Sequence, residues 1–277
     1  MNIVPKERQI RILMGLVEGN GIRSLERQTE THRDTIMRLL CRVGEGCARL
    51  LDESMVDLPC RNVQTDEIWT FVKKKQRMLT DKEKRGPELG DKYVFVAIDA
   101  DTKLIPLHHV GKRDSVTATR FMVDLQSRLR NRIQLTTDAF APYEDAVEVA
   151  FGNEVDYGQL VKLYRSNGDE GRGRYAPPEC VEAIPTIING EPNPYKISTS
   201  YVERQNLTMR MSMARLARLS LAFSKKLDNL KAALALHFAW CNFGRVHGSL
   251  RVTPAMEAGI VDHIWTMDEL FYYIDKS

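Results

Sequence analysis

Residues 61–75 read RNVQTDEIWTFVKKK. β-branched and aromatic residues dominate positions 63–72, which is the composition of a strand on a well-packed sheet. Asp66 interrupts that run, with Thr65, Glu67 and Thr70 as polar company. A carboxylate among apolar neighbours needs a charged partner or a cation. The stretch therefore predicts a central strand and marks it as a place where a site could sit.

The segments around it extend the same reading. KYVFVAIDADTKLIPLHHVG (92–111) predicts two more strands joined at DADTK, and KQRMLTDKEKRGPELGD (75–91) predicts a charged loop that closes the first hairpin. In VTATRFMVDLQSRLRN (116–131), Ala118, Phe121, Met122 and Leu125 share one helical face, with Ser115 as the expected N-cap. RIQLTTDAFAPYEDAVEVAF (132–151) predicts a strand, a turn and a helix, and EVDYGQLVKLYR (154–165) a further strand. The order β-β-β-α-β-α-β followed by helices predicts an α/β fold, a mixed sheet with helices packed on it. Residues 166–197 begin with a tract rich in Gly, Pro and Asn and predict an irregular, partly extended insertion. The chain is then expected to be helical through Cys241, within a C-terminal helical region spanning 199–277.

The first 57 residues have a different texture. Ile10, Leu13, Met14 and Val17 form a stripe at i, i+3, i+4, i+7, and GNG at 19–21 breaks it. IRSLERQT (22–29) and HRDTIMRLLCRV (32–43) follow as a short helix, a tight turn and a second helix. This is a helix-turn-helix pattern that would expose Arg33, Asp34, Thr35 and Arg38. The competing reading is a plain helical or dimerising unit. Two domains are expected, 1–57 and 58–277.

Composition narrows the function classes. The chain has 277 residues, 43% hydrophobic and 28% charged, with a formal net charge of +3, as in a soluble globular protein. No signal-peptide core and no eighteen-residue apolar run is present, so a cytoplasmic protein without a membrane partner is expected. The five cysteines form no C-x-x-C pair, and buried free thiols are expected rather than a zinc site. The charge is unevenly spread. Between Glu203 and Arg251, nine Lys/Arg face two acids, Glu203 and Asp228, so this segment predicts a surface for a polyanion.

Asp138 closes the strand in LTTDAFAPY, and the C-terminal edges of strands in α/β sheets are where ligands bind. Glu203 stands in the first turn of a helix opening near Ser200, where S-x-x-E also matches a capping box. Together Asp66, Asp138 and Glu203 would suit two Mg²⁺ or Mn²⁺ ions through oxygen ligands. Such a pair serves phosphodiester displacement. Arg204, Asn206, Arg210, Arg215 and Arg218 fall at spacings that cover one broad helix face. With Lys225, Lys226, Arg245 and His247 they are candidates for holding DNA phosphates, against the alternative of a solvated face. His237 and Trp69 read as core residues.

The motifs TDEIW (65–69), LTTDAFAPY (135–143), SYVERQNLTMR (200–210), CNFGRVHGSLRVTP (241–254) and especially ERQNLTMRMSMARLARLSLAFSK (203–225) resemble the DDE transposases of simple bacterial insertion sequences, in particular the family of the smallest ones. The resemblance covers about residues 63–256. It implies a ribonuclease-H-like, retroviral-integrase-type catalytic domain with Asp66, Asp138 and Glu203 as the metal-binding triad. It also implies hydrolysis at element ends followed by transfer of the freed 3′-OH into target DNA. The partners would be terminal inverted repeats, target DNA and a second copy of the chain in a homodimer or higher oligomer. Cytoplasmic, nucleoid-associated location follows. Two departures stand out. Early cysteine pairs of zinc-finger type are absent, and Asp138 and Glu203 lie 65 residues apart, further than in retroviral integrases. A regulator that kept the fold but lost catalysis, and a ribonuclease-H-like nuclease or resolvase without strand transfer, are the alternatives.

Overall fold

The computed structural model describes residues 4–86, 88–165 and 179–276. The first three helices are α1 (Lys6–Val17), α2 (Ile22–Thr29) and α3 (Arg33–Ser54). The central part follows as β1 (Asn62–Val72), α4 (Asp81–Lys84), β2 (Gly90–Asp99), β3 (Leu107–Gly111), α5 (Ser115–Ser127), β4 (Ile133–Asp138), α6 (Pro142–Phe151), β5 (Val155–Arg165) and β6 (Glu179–Asn189). The chain ends with α7 (Ser200–Ser212), α8 (Leu227–Ala239), α9 (Pro254–Glu257) and α10 (Met267–Lys276).

The sheet has the order β3-β2-β1-β4-β5-β6. β1 runs antiparallel to β2 and parallel to β4, and β6 returns antiparallel along β5. This six-stranded mixed sheet with its helices is the α/β arrangement expected of a ribonuclease-H-like fold. β1 is central because both its edges are used and Val63, Ile68 and Val72 are buried. The sheet is covered on two faces, as alternation along β2 requires. Phe95 meets Phe121 of α5 and Tyr143 of α6, while α7 lies on β1 and β2.

Several expectations are corrected. Residues 179–189 form an edge strand instead of an irregular insertion. The β-branched residues Val181, Ile184, Thr186, Ile187 and Ile188 favour extension, and β5 supplies the ladder. Residues 166–178 lie outside the described residues. The N-cap of α5 is Asp114, whose carboxylate accepts from Thr117 N–H at 2.9 Å, in place of Ser115. The charged loop 75–91 contains α4, closed by a Thr80–Glu83 capping box and a Lys74–Glu83 ion pair.

Helical structure also stops at Ser212 and resumes at Leu227. In the connecting segment the apolar residues change from helical spacing to alternation (Leu219, Leu221, Phe223). Leu219 takes a left-handed φ of 57°, and Phe223 packs on Phe71 of β1 at 4.8 Å. Tertiary contact decides this segment against its helical propensity.

At the N-terminus, Glu30 takes the left-handed turn position (φ 50°) between α2 and α3, where glycine costs less. α3 packs along α8, and Gly44 lies directly against the Ala232 backbone. A Cβ there would lie 2.5 Å from Ala232 Cα, Cβ and O, so helix backbone has to move. Gly44→Ala should therefore destabilise the protein by about 1–3 kcal/mol through overpacking, measured by urea unfolding. No helix among the described residues is long and apolar enough to cross a membrane.

Candidate active site

Pairing between β1 and β4 runs from Asn62↔Gln134 to Gln64↔Thr136 and then stops. Two residues further on, the strands carry Asp66 and Asp138 facing a gap. Oxygen atoms of Asp66, Glu67 and Asp138 there lie within 4.8 Å of one another. Adjacent residues on a regular strand point to opposite faces. At the open edge of β1, the longer Glu67 side chain still reaches the same gap.

Each acid is held by specific groups. Asp66 Oδ1 accepts from Glu67 N–H and Oδ2 from Asn206 Nδ2–H, both at 2.8 Å. Asp138 Oδ1 accepts from Phe140 N–H at 3.1 Å. Glu67 accepts from Tyr143 O–H at 2.9 Å and from Arg113 Nε–H. The same guanidinium lies 3.8 Å from Asp138 Oδ2 and stacks on the Phe140 ring at 3.9 Å.

Glu203 is not within that group of three. Its carboxylate accepts from Lys162 Nζ and from Thr199 O–H. Its charge nevertheless acts on the cluster, raising the carboxyls of both Asp66 and Asp138. Asn206, one turn on in α7, is the residue that touches Asp66.

The first turn of α7 departs from the expected capping box. Thr199 is the N-cap and makes no side-chain cap, and Glu203 reaches back to the Thr199 hydroxyl. Gln64 of β1 does the capping: its Oε1 accepts from Tyr201 N–H at 2.9 Å and Val202 N–H at 3.3 Å. The strand that carries Asp66 thus also fixes the helix that carries Glu203. Gln64→Leu would leave two helix-end donors buried without partners. It should cost about 1–3 kcal/mol, by urea unfolding, and displace Glu203 and Asn206 from the strand.

The electrostatics are those of crowded acids. Burial, then Glu67 and Asp138, push the Asp66 carboxyl up to about 7. Burial raises Asp138, partly offset by the Phe140 N–H, Arg113 and Lys162. Burial and Asp138 raise Glu67 against Arg113. Among the described residues, four carboxylates thus stand against two cations, Arg113 and Lys162. Asn206 Oδ1, beside Asp66, is a buried acceptor without a hydrogen-bond partner among the described residues. An all-oxygen donor set with excess negative charge fits a hard divalent cation such as Mg²⁺ or Mn²⁺.

The other expected site residues are dispersed. Arg33 and Arg38 are exposed at the start of α3, and Thr35 accepts from Arg38. Arg204 is exposed, and Arg210 donates to the Leu216 carbonyl at 3.1 Å. Arg215 and Arg218 are not on α7, because the helix has already ended. Arg215 is half-buried, donates to Ser224 Oγ and Met37 sulfur, and has its pKa lowered by burial, so it joins the 213–226 segment to α3. Arg218, Lys225 and Lys226 are exposed on that segment. Arg245 donates to Ser212 Oγ, and His247 Nδ1 is 3.0 Å from Ser249 Oγ. His237 is a core residue, 2% exposed. Sequence reasoning missed Gln64, Glu67, Arg113, Tyr143 and Lys162. Only Glu67, beside Asp66 in an apolar strand, carried a signal.

No known family matches the sequence, and no characterised protein matches it by sequence. Solved structures do match. One is the Mos1 transposase paired-end complex with left transposon end, at 14% identity, covering 53% of this chain and 58% of that one, TM-score 0.21. Another is the Mos1 mariner paired end complex with Mn, at 15% identity over 55% and 58%, TM-score 0.23. A third is the piggyBac transposase synaptic complex with hairpin DNA, at 11% identity over 99% and 72%, TM-score 0.41. The chain thus spans 58% of the length of the two Mos1 chains.

Proposed function

We propose that this protein is a DNA transposase of DDE type, in which Asp66, Asp138 and Glu203 hold divalent ions at the reacting phosphodiester. The reading rests above all on the gap between β1 and β4, where carboxylates from two strands meet and α7 brings Asn206 to Asp66, with Glu203 one turn earlier on the same helix and its charge felt by both aspartates. Mg²⁺ or Mn²⁺, when bound, supplies Lewis-acid stabilisation of the attacking and departing oxygens. The chain's own residues do the rest. Glu67, saturated by Tyr143 and Arg113, anchors Arg113 next to Asp138. Lys162 pairs with Glu203 and offsets its charge. Arg204, next to Glu203, and Arg245 beyond it present positive charge to DNA phosphates, and His247, kept neutral by burial and its cationic neighbours, offers a ring N–H.

In the first step water adds across a phosphodiester and frees a 3′-OH and a 5′-phosphate. In the second that 3′-OH attacks a target phosphodiester and releases a new 3′-OH, so phosphodiesters are exchanged without an external energy source. Residues 1–57, with Arg33, Thr35 and Arg38 on α3, serve as the DNA-reading domain, and 58–277 as the catalytic one. Two element ends call for a homodimer or higher oligomer.

The test uses purified full-length protein and duplexes from the DNA flanking its coding sequence. Nicked and joined products are scored separately with Mg²⁺, Mn²⁺ or chelator. Metal-dependent joining supports a transposase. Nicking without joining points to a nuclease, and binding without either to a regulator.

A further inference from the structure

A cavity of about 260 Å³ opens on the flank of α7 formed by Tyr201, Arg204 and Gln205, separate from the acidic gap. Its far wall comes from the end of α8. There the helix widens into a π turn at Trp240–Gly244, a feature often found at functional sites. Asn242 pins that turn to Ile105, accepting from its N–H at 3.0 Å and donating to its carbonyl at 2.9 Å. Cys241 and Arg245 are thereby set facing α7.

The chemistry of this cavity is one-sided. Lys103, Arg204, Arg245 and His247 line it, and none of its described lining residues is acidic. Among the described residues, no carboxylate pairs with Lys103, Arg204 or Arg245. Lys103 is 8% exposed and takes a left-handed φ of 60°, an uncommon conformation for a residue with a side chain. Its ammonium lies over the Tyr201 ring at 3.5 Å from the centroid. Burial, then Lys103 and Arg245, lower the pKa of His247, so its ring stays neutral and faces the cavity as a hydrogen-bonding group beside the two cations. Gln205 Nε2 is a buried donor that, among the described residues, faces only a weak acceptor, the Cys241 sulfur. Ile98, Ile105 and Pro254 add apolar wall.

Buried Lys103, which gives its ammonium to the Ala100 carbonyl, the exposed guanidinium groups of Arg204 and Arg245 without a carboxylate, and a poorly satisfied amide donor together suit an anion that also accepts hydrogen bonds. Aromatic and apolar walls next to them suit a planar ring. We propose that the cavity binds a single nucleotide unit of the DNA, its phosphate on the cations and its base in the cavity. The inference rests on the DNA-acting reading above and adds to it a pocket across α7 from the acids, where one nucleotide of the processed strand is held out of the stack. Extrusion of a base costs a few kcal/mol, which such a pocket recovers.

The test is isothermal titration calorimetry of the full-length protein with dAMP, deoxyadenosine and inorganic phosphate. dAMP should bind saturably and about tenfold or more tighter than either fragment. Gln205→Met removes a donor that the free protein leaves on a weak sulfur acceptor. It should keep or raise the melting temperature while weakening dAMP about tenfold. Val246→Trp, at an exposed position on the rim, should block dAMP and gives a second reading should Gln205→Met misfold. Equal affinity for dAMP and phosphate, no saturable dAMP binding, or unchanged binding in both variants overturns the proposal. Loss of the cavity proposal with metal-dependent cleavage intact leaves the transposase reading standing. dAMP binding without any cleavage supports the cavity and removes that reading.

Discussion

Asp66→Asn will abolish metal-dependent strand cleavage and, in chelator above pH 7, will raise the melting temperature by roughly 5–10 °C. The two effects have one cause. Asp66 is buried among Glu67, Asp138 and Glu203, and its carboxyl moves from 3.8 to about 7 on folding. A raised acid holds its proton longer in the folded protein than in the unfolded one. Between those values the folded state binds more protons, so stability falls as pH rises. Below about 4 Asp66 carries no penalty, and above about 7 it carries the full one, on the order of 4 kcal/mol. Asparagine removes the charge and the penalty together. The new amide also finds a partner, because Asn206 can turn its unpaired Oδ1 toward it. Thermal unfolding from pH 5 to 8 checks this. The variant's advantage should grow with pH, and a variant no more stable than wild type above pH 7 would contradict the crowding of acids described above.

Glu203→Gln separates chemistry from structure. The amide keeps an acceptor for the Thr199 hydroxyl and loses an ion pair with Lys162 at a half-exposed position. Such a pair contributes about 1 kcal/mol or less, so unfolding should barely move. Activity should nonetheless fall by more than about 100-fold, beyond the range for losing a residue that merely supports a ligand. Were Glu203 only part of a helix cap, cleavage would survive, because Gln64 already caps α7. Single-turnover cleavage beside a denaturation curve distinguishes the two roles.

The sheet and its two aspartates were legible because strand composition and strand ends are local properties. Asp66 reads from its apolar strand and Asp138 from its place before a turn. What escaped depends on long-range geometry. Glu67 reaches the gap because β1 and β4 part after Gln64, and no single-strand pattern records that divergence. Arg113 and Lys162 come from a loop and from β5, and only the sheet order brings them to the acids. The capping box failed because Gln64, more than a hundred residues away in sequence, took the helix-end donors. Arg215 looked like one of a row of DNA-facing arginines, yet α7 ends three residues earlier and its guanidinium turns inward to Ser224. The edge strand β6 was hidden by the glycine- and proline-rich tract before it.

The central claim is that these carboxylates hold a divalent ion. Calorimetric titration of the intact protein with Mn²⁺, wild type beside Asp138→Asn, tests it most directly. Saturable binding in the wild type, weakened at least about 100-fold in the variant, is the predicted result. Equal Mn²⁺ affinity in the two proteins would contradict it.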